Sequence, residues 1–229
     1  MKTYESGGKD IRFELFEPNT IAGQPAIVIL PGTFGMLSPW GDDIRTFAKG
    51  LQSAGIVAFI PNYFDRTGTQ PGMETTAAIT RLVKDHGDEW NMAIEDGITL
   101  VSGLPSVDSD RIGLLGFSLG GNRALTLAMK PRRVVKIKRI VEFFGPTVSI
   151  PLSGDVAQLP PLQIHHGDET DVIVHPGETD ALINRLKGTG KTEGTDFVVH
   201  RYKGAGHGFQ GKDLDDARKR TLEFFKNGL

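Results

Sequence analysis

The chain has 229 residues, a formal net charge of −2 and no cysteine. This length is enough for one sizeable hydrophobic core, so we expect a single domain over residues 1–229. A charge so close to zero gives no attraction to polyanions, which argues against a nucleic-acid partner, and the lack of cysteine excludes disulfides and a thiol nucleophile. No apolar run reaches the roughly 20 residues of a membrane span and the first residues lack a signal-peptide core, so we expect a cytoplasmic protein with no membrane partner.

Short apolar segments of strand length recur along the chain. The first, Ile11 to Leu15, alternates apolar and charged residues, which is typical of a half-exposed antiparallel strand at the beginning of a sheet. The later segments are continuously apolar, as expected for strands that are buried on both faces of a parallel sheet. They comprise residues 26–30, 57–60, 111–115, 140–144, 162–165 and 197–202.

Helices are predicted between these strands. In the second of them, Trp90, Ile94, Ile98 and Val101 recur at helical spacing and form an apolar face. Strands that alternate with helices through short loops predict an α/β fold, with a doubly wound, mostly parallel sheet and helices on both faces. Residues 145–161 are too few for a large lid domain. The predicted helices span approximately 41–53, 88–104, 119–129, 178–186 and 214–225.

A serine between glycines follows the strand predicted at 111–115. The run GFSLGG places Ser118 directly after this buried strand and before a helix rich in alanine and leucine. Glycines two residues before and two residues after the serine relieve the crowding of a sharp strand-to-helix turn, as in a nucleophile elbow. A serine that only caps the helix is the alternative. The flanking strand and helix favour the nucleophile.

A serine hydroxyl needs a general base, and the base needs a group that orients it. His207 is in a glycine-flanked loop between the last predicted strand and the last helix, and it alone of the six histidines has this position. A solvated loop histidine is the alternative. The loop after the preceding strand offers Asp168, Glu169 and Asp171 as the orienting acid. Asp171, which precedes Val-Ile-Val, is preferred and Asp168 is the second choice.

A metal site is a second interpretation of the segment that holds these acids. His165 and His166 are close in sequence to Asp168 and Asp171, and imidazole and carboxylate groups bind zinc or iron. Adjacent residues of a strand point to opposite faces of the sheet, which makes joint coordination by the two histidines awkward. We therefore expect no metal and no cofactor, and we interpret the two histidines as packing residues at the strand end.

The oxyanion of a tetrahedral intermediate needs hydrogen-bond donors. One candidate is the backbone N–H of Leu119, because the dipole of the helix that begins there favours negative charge. The second is the backbone N–H of Thr33 in the PGTFG loop after the strand at 26–30, where Gly32 permits a close approach. An ordinary turn is the alternative for this loop.

These features together resemble the α/β-hydrolase superfamily and, more narrowly, the dienelactone hydrolase family. Dienelactone hydrolases have a cysteine where this chain has Ser118 and a glutamate where it has Gly32, and both changes suit a serine that works through a histidine and an aspartate. Arg66 is on a plausible loop for the family's carboxylate-binding arginine, with a solvated or helix-capping role as the alternative. The segments that carry the resemblance occur in the family's order over nearly the whole chain: VILPGTFGM, VAFIPNYFDRTG, DRIGLLGFSLGGNRAL, HHGDETDVIV and GAGHGF.

The residues and the resemblance predict a serine hydrolase that cleaves small carboxylic esters or lactones, as a monomer or homodimer. Ser118, His207 and Asp171 would act as a catalytic triad through an acyl-enzyme intermediate. Without a lid, the cleft should be open and favour small or flexible esters. The alternatives are a serine peptidase or acyltransferase with the same fold, or a catalytically silent binding protein. The expected aromatic wall of the cleft, with packing in the core as the alternative for each residue, comprises Phe34, Tyr63, Phe64, Phe117 and Phe209.

Overall fold

The computed structural model of the protein describes residues 2–19, 22–72, 75–130, 135–168 and 170–229. Within these ranges the strands form an eight-stranded sheet, flanked by five α-helices. The strands are β1 (Lys2–Ser6), β2 (Lys9–Phe16), β3 (Gln24–Leu30), β4 (Val57–Pro61), β5 (Val107–Phe117), β6 (Ile137–Phe143), β7 (Leu162–Gly167) and β8 (Phe197–Tyr202). The helices are α1 (Trp40–Ser53), α2 (Thr76–Ser102), α3 (Leu119–Ala128), α4 (Gly177–Gly188) and α5 (Gly211–Lys226).

The spatial order of the strands is β1-β2-β4-β3-β5-β6-β7-β8. β2 pairs antiparallel with β1 and β4, and all the other neighbouring pairs are parallel. The side chains of β3 show why both faces are covered: Val28 belongs to a core with residues of α2, α3 and α4, and Ile29 to a second core with residues of α1 and α5. The predicted doubly wound, mostly parallel α/β sheet is confirmed. Its parallel strands all end at one edge, where loops from distant parts of the chain meet.

Two elements differ from the sequence prediction. β1 is not predicted, because only Tyr4 and Ser6 of its five residues are buried and the pattern is too short to stand out. α2 begins at Thr76, about twelve residues before the predicted start, because its buried residues are confined to the part from Gly87 onward. The two elements support each other, since the hydroxyl of Tyr4 donates to the carbonyl oxygen of Ala93, 2.7 Å away.

The connection between β6 and β7 is irregular apart from a short 3-10 helix at Val156–Gln158. This agrees with the prediction that no large lid domain is present in this segment. Among the described residues, no helix combines the length and the apolar character needed to cross a membrane.

Candidate active site

Ser118 occupies a sharp turn between β5 and α3. Its backbone has φ 52° and ψ −120°, in the left-handed half of conformational space that a residue with a side chain rarely adopts. The turn is held by hydrogen bonds, since the Ser118 N–H donates to the carbonyl oxygen of Phe143 at 2.8 Å. A β-carbon on Gly120 would collide with the carbonyl oxygen of Leu30, which explains why glycine is needed two residues after the serine.

Three side chains converge at the edge of the sheet where the parallel strands end. Ser118 follows β5, Asp171 follows β7 and His207 follows β8. The Nε2 atom of His207 is 3.0 Å from Ser118 Oγ, and its Nδ1 atom is 2.9 Å from Asp171 Oδ2. The hydroxyl, imidazole and carboxylate groups therefore form a continuous hydrogen-bonded chain, which is the arrangement needed for general-base activation of a serine.

The Asp171 carboxylate is buried and surrounded by donors. Its Oδ1 atom accepts hydrogen bonds from the backbone N–H groups of Ile173 and Val174, at 3.0 and 2.9 Å. Its Oδ2 atom faces His207 and also His166, whose Nε2 atom is 3.2 Å away. Burial acts to raise the pKa of Asp171, but the hydrogen bonds from His166 and His207 outweigh it and hold the pKa well below its usual range. The carboxylate is thus ionised and able to orient an imidazole.

His166 also contacts the Asp171 carboxylate, and the sequence analysis did not predict this contact. Its Nε2 atom also lies 2.8 Å from the carbonyl oxygen of Val174, and its Nδ1 atom lies 2.6 Å from Thr179 Oγ1. The carbonyl oxygen and the carboxylate can only accept, so Nε2 must carry the hydrogen. Sequence patterns place His166 at a strand end but cannot show that the next loop turns back to meet it.

His165 lies on the other side of β7. Its ring stacks on Phe143 with centres 4.4 Å apart, its Nδ1 atom is 2.9 Å from the Tyr202 hydroxyl, and its Nε2 atom is 3.0 Å from Gln163 Oε1. Burial holds the pKa of His165 well below its usual range. His165 therefore acts as a neutral packing residue, and strand alternation separates it from His166 as predicted.

Asp168, the second choice for the orienting acid, does not contact the imidazole of His207 among the described residues. Asp168 is half-buried, and its backbone N–H donates to the carbonyl oxygen of Tyr202 at 2.9 Å. Glu169, the remaining candidate of the sequence analysis, lies outside the described residues. The structure thus brings Asp171, rather than Asp168, within hydrogen-bond distance of His207.

Thr33 and Leu119, the two candidate oxyanion donors, both line the cavity beside Ser118. The loop of Thr33 lies against the elbow, since a β-carbon on Gly32 would come within 3.1 Å of Ser118 Cβ. Tyr63 supports this loop from behind, because its hydroxyl donates to the carbonyl oxygen of Pro31 at 2.7 Å.

The cavity beside Ser118 has a volume of about 410 Å³. Of the predicted aromatic wall, Phe34, Phe117 and Phe209 line it. For Tyr63 and Phe64, which begin a 3-10 helix at Tyr63–Arg66, the alternative applies instead, because both are buried in the core against the Trp90 ring. Aromatic lining residues that the sequence analysis missed are Trp40, Phe47, Phe143 and Phe144.

Phe144 combines a strained backbone with a contact to the candidate base. It has φ 41°, which is rare for a bulky residue, and its ring centre is 4.5 Å from that of His207. The strain follows from its position, because its N–H donates to the carbonyl oxygen of His165 while the chain turns out of β6. The ring of Phe144 thereby forms one side of the pocket that holds the imidazole.

Arg66 is not among the lining residues of the cavity. Its guanidinium group donates to Ser6 Oγ and lies 3.9 Å from Asp96, on the side of the sheet covered by α2. The position thus does not suit the carboxylate-binding role, and it does not suit the solvated alternative either, because the Arg66 side chain is only 14% exposed.

Glu142 is a buried carboxyl group behind the elbow. Its Oε2 atom accepts a hydrogen bond from the backbone N–H of Gly145 at 2.8 Å, whereas Oε1 has no partner among the described residues. Burial raises the pKa of Glu142 to about 7, and the hydrogen bond from Gly145 offsets this only in part. Between the ordinary value of 4.5 and this value, the folded state binds a proton that the unfolded state has lost.

The wild type should therefore lose stability as the pH rises from 4.5 to about 7, and Glu142→Gln should abolish this loss. Relative to the wild type, the variant should gain about 3 kcal/mol in the free energy of unfolding from acidic to neutral pH, with no further gain above the folded-state pKa. The gain arises because the amide resembles the protonated carboxyl group and cannot ionise. Urea denaturation at a series of pH values measures it, and parallel stability curves for the two proteins would contradict the prediction.

Comparison with known proteins places the chain in a family. The sequence profile of the dienelactone hydrolase family matches residues 11–228. A carboxymethylenebutenolidase from Rhodococcus opacus is 29% identical over 220 residues, which cover 89% of this chain and 81% of that protein.

Two solved structures show the same fold. The dienelactone hydrolase from Anabaena variabilis superimposes with a TM-score of 0.72 at 16% identity, over 100% of this chain and 96% of that one. The acylaminoacyl peptidase from Pyrococcus horikoshii gives a TM-score of 0.73 at 18% identity, over 98% of this chain but only 40% of that one. The two structures show the α/β fold of the chain, and the match of the family profile over residues 11–228 shows that it belongs to the dienelactone hydrolase family, a family of ester and lactone hydrolases with the α/β-hydrolase fold.

Proposed function

We propose that the protein hydrolyses carboxylic esters or lactones through a covalent acyl-enzyme on Ser118. The observation that carries this proposal is the hydrogen-bonded chain from Ser118 Oγ through His207 to Asp171, with distances of 3.0 and 2.9 Å. The hydroxyl end of this chain opens on the cavity, where a substrate carbonyl group can reach it.

In the first half of the reaction, Ser118 Oγ attacks the carbonyl carbon of the ester. The hydroxyl proton moves to His207 Nε2, and Asp171 stabilises the resulting imidazolium through Nδ1. The carbonyl oxygen becomes an oxyanion, for which we assign the backbone N–H groups of Thr33 and Leu119 as donors. Collapse of the intermediate breaks the bond to the alcohol, which leaves with the proton from Nε2.

In the second half, water replaces the alcohol. His207 Nε2 takes a proton from the water as its oxygen attacks the acyl carbon, and the same proton then returns to Ser118 Oγ as the acid is released. With a lactone, the leaving alcohol stays attached to the acyl group, and one hydroxy acid is the product. Over the two halves, two C–O bonds form and two break at the same carbonyl carbon. The reaction therefore needs no oxidant or reductant.

A fluorophosphonate probe tests the proposal directly. The probe should label the wild type at Ser118, which mass spectrometry of the digested protein can locate, and Ser118→Ala and His207→Ala should lose the label. Ser149, the other serine in the described wall of the cavity, should carry no label in any of these proteins and serves as the internal control. Failure of the folded wild type to react would favour a catalytically silent binding protein, and labelling at another serine would show that Ser118 is not the nucleophile.

A further inference from the structure

Charged side chains are scarce in the wall of the cavity beside Ser118. Among the lining residues that the structure describes, the ionisable ones are Asp43 and His207, and none is a lysine or an arginine. Both nitrogens of the His207 imidazole are already within hydrogen-bond distance of Asp171 and Ser118. The described wall therefore offers no free cation to an anionic substrate.

Asp43 adds negative charge to this wall. Its Oδ1 atom is 2.9 Å from Nη2 of Arg218, and Arg218 itself does not line the cavity. A second carboxylate, Asp215, is 3.2 Å from Arg218, and the guanidinium carbon lies 5.4 Å from the centre of the Phe47 ring. The two terminal nitrogens of Arg218 are thus paired with carboxylates, and its Nε atom, which has no partner among the described residues, is buried in a residue that does not line the cavity. An anion in the cavity would therefore face a group of like charge.

One side of the cavity is aromatic. The rings of Phe47, Phe117 and Phe143 contact one another, with centres 4.9 to 5.4 Å apart, and Phe209 lies 5.8 Å from Phe143. Such a surface favours apolar groups, and the offset and edge-to-face contacts within it suit another aromatic ring.

Apolar side chains continue from this wall to the mouth of the cavity. Phe34, Val172 and Ile173 line the cavity and are 39%, 91% and 55% exposed. Large exposed apolar groups are unfavourable in water and commonly mark a binding site. Both the buried wall and the exposed part of the lining are thus rich in apolar side chains.

We propose that the site takes neutral esters with an aryl or branched alkyl group and excludes esters that carry a carboxylate, with Asp43 as a specificity-determining residue. This inference rests on the proposed hydrolytic function of Ser118. A carboxylate would lose its hydration on entry without gaining a cation, whereas an apolar group of the same shape would gain from leaving water.

Pairs of esters with matched shapes test this selectivity. One pair differs in the alcohol, 4-carboxyphenyl acetate against 4-isopropylphenyl acetate, and the other in the acyl group, the p-nitrophenyl monoester of adipic acid against p-nitrophenyl 6-methylheptanoate. Each kcat/KM is divided by the rate constant for alkaline hydrolysis of the same ester, which removes differences in intrinsic reactivity. The neutral member should be favoured by about 100-fold or more in each pair.

Variants of the wall should change this ratio in a defined direction. Asp43→Asn removes the like charge without changing shape, and the relative kcat/KM for the anionic esters should rise about fivefold. Leu214→Arg adds a cation at a half-buried lining residue and should raise it by more than about tenfold. Leu214→Gln, a polar control without charge, should leave the ratio close to that of the wild type.

The outcomes separate this inference from the proposed function. Similar normalised rates within each pair, in a protein that is labelled at Ser118, would overturn the substrate class alone. A more than tenfold preference for 4-(trimethylammonio)phenyl acetate over 4-tert-butylphenyl acetate, lost in Asp43→Asn, would also overturn it in favour of cationic esters. Absence of both labelling and hydrolysis of the neutral esters would instead overturn the proposed function.

Discussion

Ser118→Ala is expected to lower kcat for ester hydrolysis by about 10⁴- to 10⁶-fold, because no other group can form the acyl-enzyme. The alanine keeps the β-carbon and hence the strained backbone of the elbow, so the free energy of unfolding should change little. Steady-state kinetics on a neutral aryl ester and urea denaturation measure the two effects. A variant that keeps more than a small fraction of the activity would show that Ser118 is not the nucleophile.

Ser118→Gly is the matched comparison for this variant. It lacks the nucleophile too, but glycine adopts φ 52° and ψ −120° without the crowding that a β-carbon causes. Glycine also raises the conformational entropy of the unfolded chain, which lowers the free energy of unfolding. Once the measured values are corrected for this effect, the glycine variant should be more stable than the alanine variant by about 1 kcal/mol. Equal stabilities after this correction would mean that the elbow stores no strain, although the assignment of the nucleophile would stand.

Asp171→Asn should reduce kcat by about 10⁴-fold. All four contacts of the carboxylate are with donors: the N–H groups of Ile173 and Val174 at Oδ1, and His207 and His166 at Oδ2. If the amide oxygen of asparagine keeps the backbone N–H groups, its NH₂ group faces His207 Nδ1. That nitrogen must then accept, which leaves the hydrogen on Nε2, where it prevents removal of the proton from Ser118.

Asp168→Asn provides the control for this substitution. Its side chain is half-buried on the same loop, and it changes the net charge equally without facing His207. We expect its kcat to stay within about twofold of the wild type, as for a surface substitution away from the reacting groups. Circular dichroism should confirm that both variants are folded. Comparable losses in the two variants, or an active Asp171→Asn enzyme, would contradict the role assigned to Asp171.

Much of the architecture follows from patterns that are local in the sequence. Continuous apolar runs such as Ala26–Leu30 predict buried parallel strands, and the alternation at Ile11–Leu15 predicts the antiparallel strand at the side of the sheet. Elements with mostly exposed residues carry a weaker pattern, which is why β1 and the first turns of α2 are missed. Similarly, Tyr63 and Phe64 cannot be distinguished from cavity residues by composition, because core and cavity walls use the same aromatic side chains.

The sequence alone indicated the fold class, the family, and Ser118 and His207 as two of the side chains proposed for catalysis, and it limited the acid to the loop after β7, because the parallel strands β5, β7 and β8 all end at one edge of the sheet. Only the tertiary structure decided which of Asp168 and Asp171 meets His207, that His166 shares the same carboxylate, and that Asp43 rather than Arg218 lines the cavity. The reason is physical: local patterns report which residues avoid water and where strands end, whereas loop conformation over a few ångströms decides which polar atoms face one another.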